Sequence, residues 1–164
     1  MMIPDRIKPY FLATDQRQDG ENTLISGRLQ CCGQPAFSLR AVGTVRRDLF
    51  YRTSLYPSAE GLAIRATCAK CGRDILVFDA GSDGYDNCFS GAGETSFSTA
   101  GSVQCMKCGG GLFSVDLRLE YPDRRELADL DCAAPENAFT CIWASLTCAG
   151  CGKKYTDFIS HETA

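Results

Sequence analysis

Four pairs of cysteines stand out among the eleven cysteines of this 164-residue chain. The pairs are Cys31 with Cys32, Cys68 with Cys71, Cys105 with Cys108, and Cys148 with Cys151, and a glycine follows each pair directly. Two thiolates separated by two residues bracket a tight turn, in which glycine readily adopts a positive φ. Two such turns that face each other supply four sulfur ligands in a tetrahedral array, which suits zinc or iron. The spacing therefore predicts metal sites and not a disulfide framework.

The cysteine pairs recur in the same order in an apparent internal repeat. A gap of 35 residues separates Cys32 from Cys68, and a gap of 39 residues separates Cys108 from Cys148. A phenylalanine, Phe37 or Phe113, follows the first pair of each half. The repeat predicts an N-terminal segment at 1–20, a first zinc-binding unit at 21–86, a linker at 87–100 and a second unit at 101–164.

The elements that carry these pairs are predicted to be strands, so the expected fold class is small and all-β. Residues 112–121 alternate apolar and polar side chains, which is the period of a strand with one wet face. Residues 62–66, 74–78 and 139–144 are rich in β-branched or aromatic residues and are also predicted to be strands. One short N-terminal helix is expected, because Ile3, Ile7, Tyr10 and Phe11 could share a face while Pro9 limits its length.

These motifs resemble the zinc-ribbon superfamily, in which two cysteine knuckles on adjacent hairpins share one metal ion. With its Ile-Pro-Asp and Pro-Tyr-Phe residues near the N-terminus, the chain also resembles an uncharacterised bacterial family of duplicated zinc ribbons. The resemblance implies two tandem ribbons with antiparallel hairpins and two structural Zn²⁺ ions. One ion would be held by Cys31, Cys32, Cys68 and Cys71, and the other by Cys105, Cys108, Cys148 and Cys151.

The first of these sites departs from the pattern. Adjacent Cys31 and Cys32 point to opposite sides of an extended chain, so both can ligate one ion only if the backbone bends sharply, which Gly33 permits. The alternative is a three-cysteine site completed by Cys88 or by water, and an open position of that kind would allow chemistry.

The remaining cysteines, the histidine and a group of aspartates could also do chemistry, but each is expected to have an ordinary structural role. His161, the single histidine, is expected to be a solvated tail residue. Cys132 and Cys141 are expected to be an idle thiol and a core residue, respectively. Asp79, Asp83 and Asp86 do not match a calcium loop and are expected to form turns.

The distribution of charge along the sequence helps to choose between a protein and a nucleic acid as the partner. Residues 1–95 carry 11 basic and 11 acidic side chains, and residues 96–164 carry 6 basic and 9 acidic ones, so neither half has the basic excess typical of phosphate binding. Acidic residues concentrate in the insertion of the second half and favour a basic protein partner. A basic and aromatic patch could nevertheless bind single-stranded nucleic acid. Its residues are Arg40, Arg46, Arg47, Arg52, Phe50, Tyr51 and Tyr56.

The leading hypothesis is a non-catalytic protein-binding module whose arms at 40–61 and 116–138 contact another protein. An inhibitor or immunity-type protein is the narrower form of this hypothesis, and a nucleic-acid-binding zinc ribbon is the alternative. An enzyme or redox sensor that works at the first zinc site or at a free cysteine is the third hypothesis. No apolar run has the length of a membrane helix or a signal peptide, so a cytoplasmic protein without membrane contact is expected.

Overall fold

The computed structural model of the chain describes residues 1–90 and 93–163. Its eleven strands in these ranges are β1 (Phe11–Asp19), β2 (Asn22–Leu29), β3 (Phe37–Val42), β4 (Thr44–Arg47), β5 (Thr53–Tyr56), β6 (Ala63–Cys68), β7 (Asp74–Asp79), β8 (Gly101–Ser102), β9 (Leu112–Tyr121), β10 (Cys141–Cys148) and β11 (Lys154–Glu162). The helical segments are short: α1 (Asn87–Ser90), α2 (Arg124–Asp129), and 3-10 turns at Lys8–Tyr10 and Pro135–Asn137. The predicted all-β fold class is confirmed.

Antiparallel pairing joins nine of these strands in one sheet. The order β1-β2-β9-β3-β6-β7 forms its main path, while β10 pairs with β9, β11 with β10, and β8 with β3. Strands β4 and β5 form a separate two-stranded hairpin. The meander β3-β6-β7 therefore meets the corresponding meander β9-β10-β11 at the pairing of β3 with β9.

This junction pairs two phenylalanines that each follow a pair of cysteines in the sequence. Phe37 pairs with Phe113 in the register of β3 and β9, and each phenylalanine comes five residues after the first cysteine pair of its half. Both rings are fully buried. Each contributes about 1.5 to 3 kcal/mol by leaving water, so the junction lies within the hydrophobic core.

Strand β9 confirms the alternation seen in the sequence. Phe113, Val115, Leu117, Leu119 and Tyr121 are buried, whereas the residues between them are at least partly accessible. This strand pairs with β10 along its length and with β2 from Asp116 to Tyr121. Strands from the predicted ranges 21–86 and 101–164 thus belong to one sheet.

The N-terminal segment contains a long strand that the sequence pattern does not reveal. Residues 11–19 form β1, which folds back on β2 around Gly20 at φ 64°. After Phe11 every residue of β1 is exposed, so no alternation of apolar and polar side chains marks it. The short helix expected before β1 is the 3-10 turn at Lys8–Tyr10.

Parts of two predicted ranges fall outside the described residues. Residues 91 and 92 belong to the predicted linker, and residue 164 belongs to the end of the predicted second unit. Within the described part of the linker, α1 is followed by an irregular stretch that reaches β8.

Candidate metal centres and the projecting hairpin

The first cluster brings Cys31, Cys32, Cys68 and Cys71 together, with all four sulfurs within 4.8 Å of one another. Cys31 follows β2, Cys68 ends β6, and Cys71 lies in the turn before β7. The Cys31 Sγ lies 3.8 Å from the Cys32 Sγ and 3.6 Å from the Cys71 Sγ.

A tight turn at Cys32 and Gly33 allows the adjacent residues Cys31 and Cys32 to direct their sulfurs toward the same point. Cys32 adopts φ 56° and Gly33 adopts φ 67°, a conformation that reverses the chain at once. The Cys31 amide donates to the Gln34 carbonyl at 3.0 Å, and the Gln34 amide donates back to the Cys31 carbonyl at 2.8 Å. Both sulfurs therefore reach the same side, and the first cluster contains four cysteines.

The second cluster contains Cys105, Cys108, Cys148 and Cys151, again with all sulfurs within 4.8 Å. Two similar turns hold it, in which the amides of Gly109 and Gly152 donate to the carbonyls of Cys105 and Cys148 at 2.7 and 2.9 Å. Both glycines have a positive φ, 74° and 75° respectively. A side chain at either position would strain the turn that aims the thiols inward.

The distances fit one ion in each cluster. Four thiolates around zinc, at Zn–S distances of about 2.3 Å, would lie about 3.8 Å apart in a tetrahedron. The Cys105 and Cys151 sulfurs are 3.6 Å apart, and those of Cys108 and Cys148 are 3.5 Å apart. A disulfide would place its sulfurs only about 2.05 Å apart. Each cluster could therefore hold a metal ion.

A buried tyrosine distinguishes the second cluster. The Tyr155 hydroxyl lies 3.3 Å from the Cys105 Sγ and accepts a hydrogen bond from the Met106 amide at 2.8 Å. Its remaining proton is then directed at the sulfur, and this hydrogen bond lowers the pKa of Cys105 to about 6. Cys105 is thus prepared as a thiolate, the form that binds metal.

In the first cluster, backbone groups and not a tyrosine hydroxyl lie close to the cysteine sulfurs. The backbone of Arg73 is the main cause that lowers the pKa of Cys71 to about 7, and the Lys70 amide lies 3.4 Å from the Cys68 Sγ. Burial, by contrast, raises the pKa of Cys31 to about 12. The lowered pKa therefore belongs to the exposed Cys71 and the raised pKa to the buried Cys31.

Cys88 and Cys132 form a disulfide, with Cα atoms 5.2 Å apart. Cys88 is consequently not the fourth ligand of the first cluster, and the expectation that Cys132 is an idle thiol is wrong. Sequence spacing could not reveal this bond because the two cysteines lie 44 residues apart, Cys88 in the short helix α1 and Cys132 in an irregular segment. Cys141 is a half-buried free thiol, and burial is the main cause that raises its pKa.

Asp79 ends β7, and the turn that follows it leads to Asp83 and Asp86, in partial agreement with the expected turn role. Both oxygens of buried Asp79 accept hydrogen bonds from Thr95, and one of them also accepts from the Gly81 amide. Buried Asp83 pairs with Arg6 and accepts from the Asp79 amide at 2.7 Å. These carboxylates are occupied by protein donors.

His161 lies in β11 and not in a solvated tail. It is half-buried, and its ring centroid is 5.6 Å from that of Phe78. Burial lowers its pKa below the ordinary value of 6.5. The expectation of a solvated histidine is therefore wrong.

The hairpin of β4 and β5 carries most of the predicted basic and aromatic patch. Arg46, Arg47 and Arg52 belong to it, together with Phe50, Tyr51 and Tyr56. Arg40 lies apart on β3, where it donates to the Phe97 carbonyl at 3.1 Å.

The hairpin is anchored beside the second cluster. Leu55 and Thr53 are buried, and the Thr53 hydroxyl contacts the Met106 sulfur at 3.5 Å. A cleft of about 160 Å³ lies between the hairpin and the segment after Cys151, where Tyr51 and Arg52 face Lys153 and Lys154.

Three comparisons with known proteins give no relative for this chain, since it matches no family model, no curated protein and no solved structure. Fold and sites define its class directly: a small all-β protein with two four-cysteine clusters that could each bind a metal ion. Within the described residues, no helix is long and apolar enough to cross a membrane.

Proposed function

We propose that both clusters hold structural zinc in ribbon-type sites. Supporting this proposal, each cluster supplies four thiols at distances suited to one tetrahedral ion, which leaves no ligand position for substrate. A structural zinc contributes an apparent binding energy of about 10 to 16 kcal/mol, comparable to the stability of a whole domain. Elemental analysis of the purified chain should find two zinc ions per chain, and fewer than two would contradict the proposal.

On this scaffold, the chain acts as a non-catalytic protein-binding module, and its binding element is the tip of the β4–β5 hairpin. One observation carries this proposal: Leu49, Phe50 and Tyr51 are consecutive and are 95%, 89% and 79% exposed. Three neighbouring large apolar side chains in water are costly for an isolated protein. Aromatic side chains of this kind supply much of the binding energy at protein interfaces.

The test is a binding experiment with matched surface variants. Zinc-loaded protein and a Leu49→Ser/Phe50→Ser/Tyr51→Ser variant are used to capture proteins from the native host, and the bound proteins are compared by mass spectrometry. A Leu12→Ser/Phe89→Ser variant is the control, because these residues are also large and exposed, at 55% and 57%. Partners that are lost with the tip variant and kept with the control support the proposal. Equal capture by all three proteins would contradict it.

An inhibitor or immunity-type role is a narrower form of the protein-binding function that would use a second surface, the acidic insertion of the second half. Five acidic and two basic residues lie between positions 122 and 138, so this second surface suits a basic partner. Identification of a captured partner as a basic toxin, bound through this insertion, would support the narrower form.

Nucleic-acid binding is the second candidate, and the arrangement of cations around the hairpin favours it. The Arg46 and Arg47 guanidinium groups lie 5.5 and 5.8 Å from the ring centroids of Tyr56 and Tyr51. Cations and aromatic rings together are the usual components of single-strand binding. This candidate predicts salt-dependent binding of single-stranded DNA or RNA that is lost in the Arg46→Glu/Arg47→Glu variant.

A further inference from the structure

The tip of the β4–β5 hairpin is held in one shape before any partner binds. The Asp48 carboxylate accepts hydrogen bonds from the Phe50 and Arg52 amides at 2.9 and 2.8 Å. The Asp48 and Tyr51 amides close the loop through the carbonyls of Arg52 and Asp48. Tyr51 itself adopts φ 60°, which a tyrosine seldom does. A tip ordered in this way loses little conformational entropy on binding.

On the hairpin and in the cleft beside it, every charged residue except Asp48 is basic. Arg46, Arg47 and Arg52 lie on the hairpin, and Lys153 and Lys154 line the cleft beside it. Asp48 is the single acid between positions 44 and 56, and its Oδ1 accepts from both loop amides.

We infer that the partner of this surface is an acidic protein surface with an apolar cleft. The inference rests on the proposed protein-binding function and specifies its partner by charge complementarity. Leu49 and Phe50 would enter the cleft, and the surrounding arginines and lysines would face carboxylates at its rim. The basic partner expected from the acidic insertion is a separate prediction for a different surface.

The same observations favour a protein over a nucleic acid at the tip. Leu49 is the most exposed of the three residues, and an aliphatic side chain offers no stacking surface to a base. Arg47 and Arg46 lie over one face of Tyr51 and of Tyr56, so a base could stack only on the opposite face of each ring.

Peptide display on the intact zinc-loaded protein tests this inference. A random 12-residue peptide library is selected on the wild-type protein after depletion on the Leu49→Ser/Phe50→Ser/Tyr51→Ser variant. We expect the enriched peptides to combine a net negative charge with aromatic or aliphatic residues. Synthetic copies should bind the Arg46→Glu/Arg47→Glu variant at least about 10-fold more weakly. The matched Arg17→Glu/Arg125→Glu variant, which reverses two exposed arginines elsewhere, should bind them as the wild type does.

The outcomes separate this inference from the proposed function. Tip-dependent peptides that are neutral or basic would overturn the acidic partner and leave protein binding intact. A selection without tip-dependent peptides would overturn both. An oligo-dT 20-mer measured in parallel identifies the remaining case, since tip-dependent binding of that probe without peptide binding would assign the surface to nucleic acid.

Discussion

The hydroxyl of Tyr155 gives the sharpest test of how the second cluster works. In the Tyr155→Phe variant the ring remains packed against Phe113, whose centroid is 6.3 Å away, but the hydrogen bond to Cys105 is lost. Tyr155 and Cys105 are only 6% and 2% exposed, so water replaces the lost donor poorly. A hydrogen bond to a charged group is worth about 1.5 to 3 kcal/mol, which corresponds to about a 10- to 100-fold loss of metal affinity.

Only one of the two sites should respond, because this hydroxyl contacts the second cluster alone. In competition with a chromophoric zinc chelator, the Tyr155→Phe variant should release one equivalent of zinc at the chelator concentration that the wild-type protein requires. The other equivalent should be released at about a 10- to 100-fold lower concentration. The wild-type protein supplies the reference for both equivalents.

Tyr121→Phe is the matched control. Tyr121 is also buried, and its hydroxyl donates to the Glu136 carbonyl at 2.7 Å, away from both clusters. This variant should lose about 1 kcal/mol of unfolding free energy and keep both metal affinities. The assigned role of the Tyr155 hydroxyl would be refuted if the Tyr155→Phe variant released zinc at the same chelator concentrations as the wild type. It would also be refuted if Tyr121→Phe lowered the zinc affinity of the second cluster as much as Tyr155→Phe does.

Three further predictions concern metal, disulfide and histidine. Removal of zinc by a strong chelator should unfold the sheet, since each site contributes about 10 kcal/mol or more, and near-ultraviolet circular dichroism should show the loss. The Cys88→Ser/Cys132→Ser variant should be about 4 kcal/mol less stable to urea, because its disulfide closes a loop of 44 residues. Because burial lowers the pKa of His161 below 6.5, the unfolded chain takes up this proton more readily. Stability should therefore fall as the pH drops below about 6.5, and His161→Gln should remove that part of the decline.

Each of these predictions has a clear contrary result. A chelated chain with an unchanged near-ultraviolet spectrum would contradict structural zinc. The Cys141→Ser variant, which changes a free thiol, is the control for the disulfide, and an equal loss of stability in both would contradict the loop-closure argument. For His161, identical slopes of stability against pH in wild type and His161→Gln would show that the ring titrates as it does in the unfolded chain.

Local patterns in the sequence were sufficient for part of the fold and for the grouping of the cysteines. Alternation identified β9 with the correct bounds, Leu112–Tyr121, because one face of that strand is buried. The spacing of the cysteine pairs anticipated both clusters, since a knuckle is built within a few residues. The bend at Cys32 was foreseen as a requirement because adjacent side chains in an extended chain diverge.

Features that depend on distant parts of the chain were not accessible in this way. Strand β1 is exposed, so its pairing with β2 leaves no trace in its hydrophobic pattern. The Cys88–Cys132 bond and the burial of His161 against Phe78 both depend on how loops and strands far apart in sequence come together. The order of the tip at Asp48 depends on side-chain hydrogen bonds to the backbone, which residue types suggest but do not specify.

The antiparallel contact between β3 and β9 has a consequence for any attempt to divide this protein. A fragment that ends before residue 101 would lack β9 and would expose the edges of β2 and β3 that β9 covers. An uncovered edge readily recruits another strand. Because Phe37 and Phe113 occupy corresponding places, two copies of one fragment could restore the missing neighbour as a symmetric pair. The 164-residue chain achieves by covalent linkage what such fragments would have to achieve by self-association.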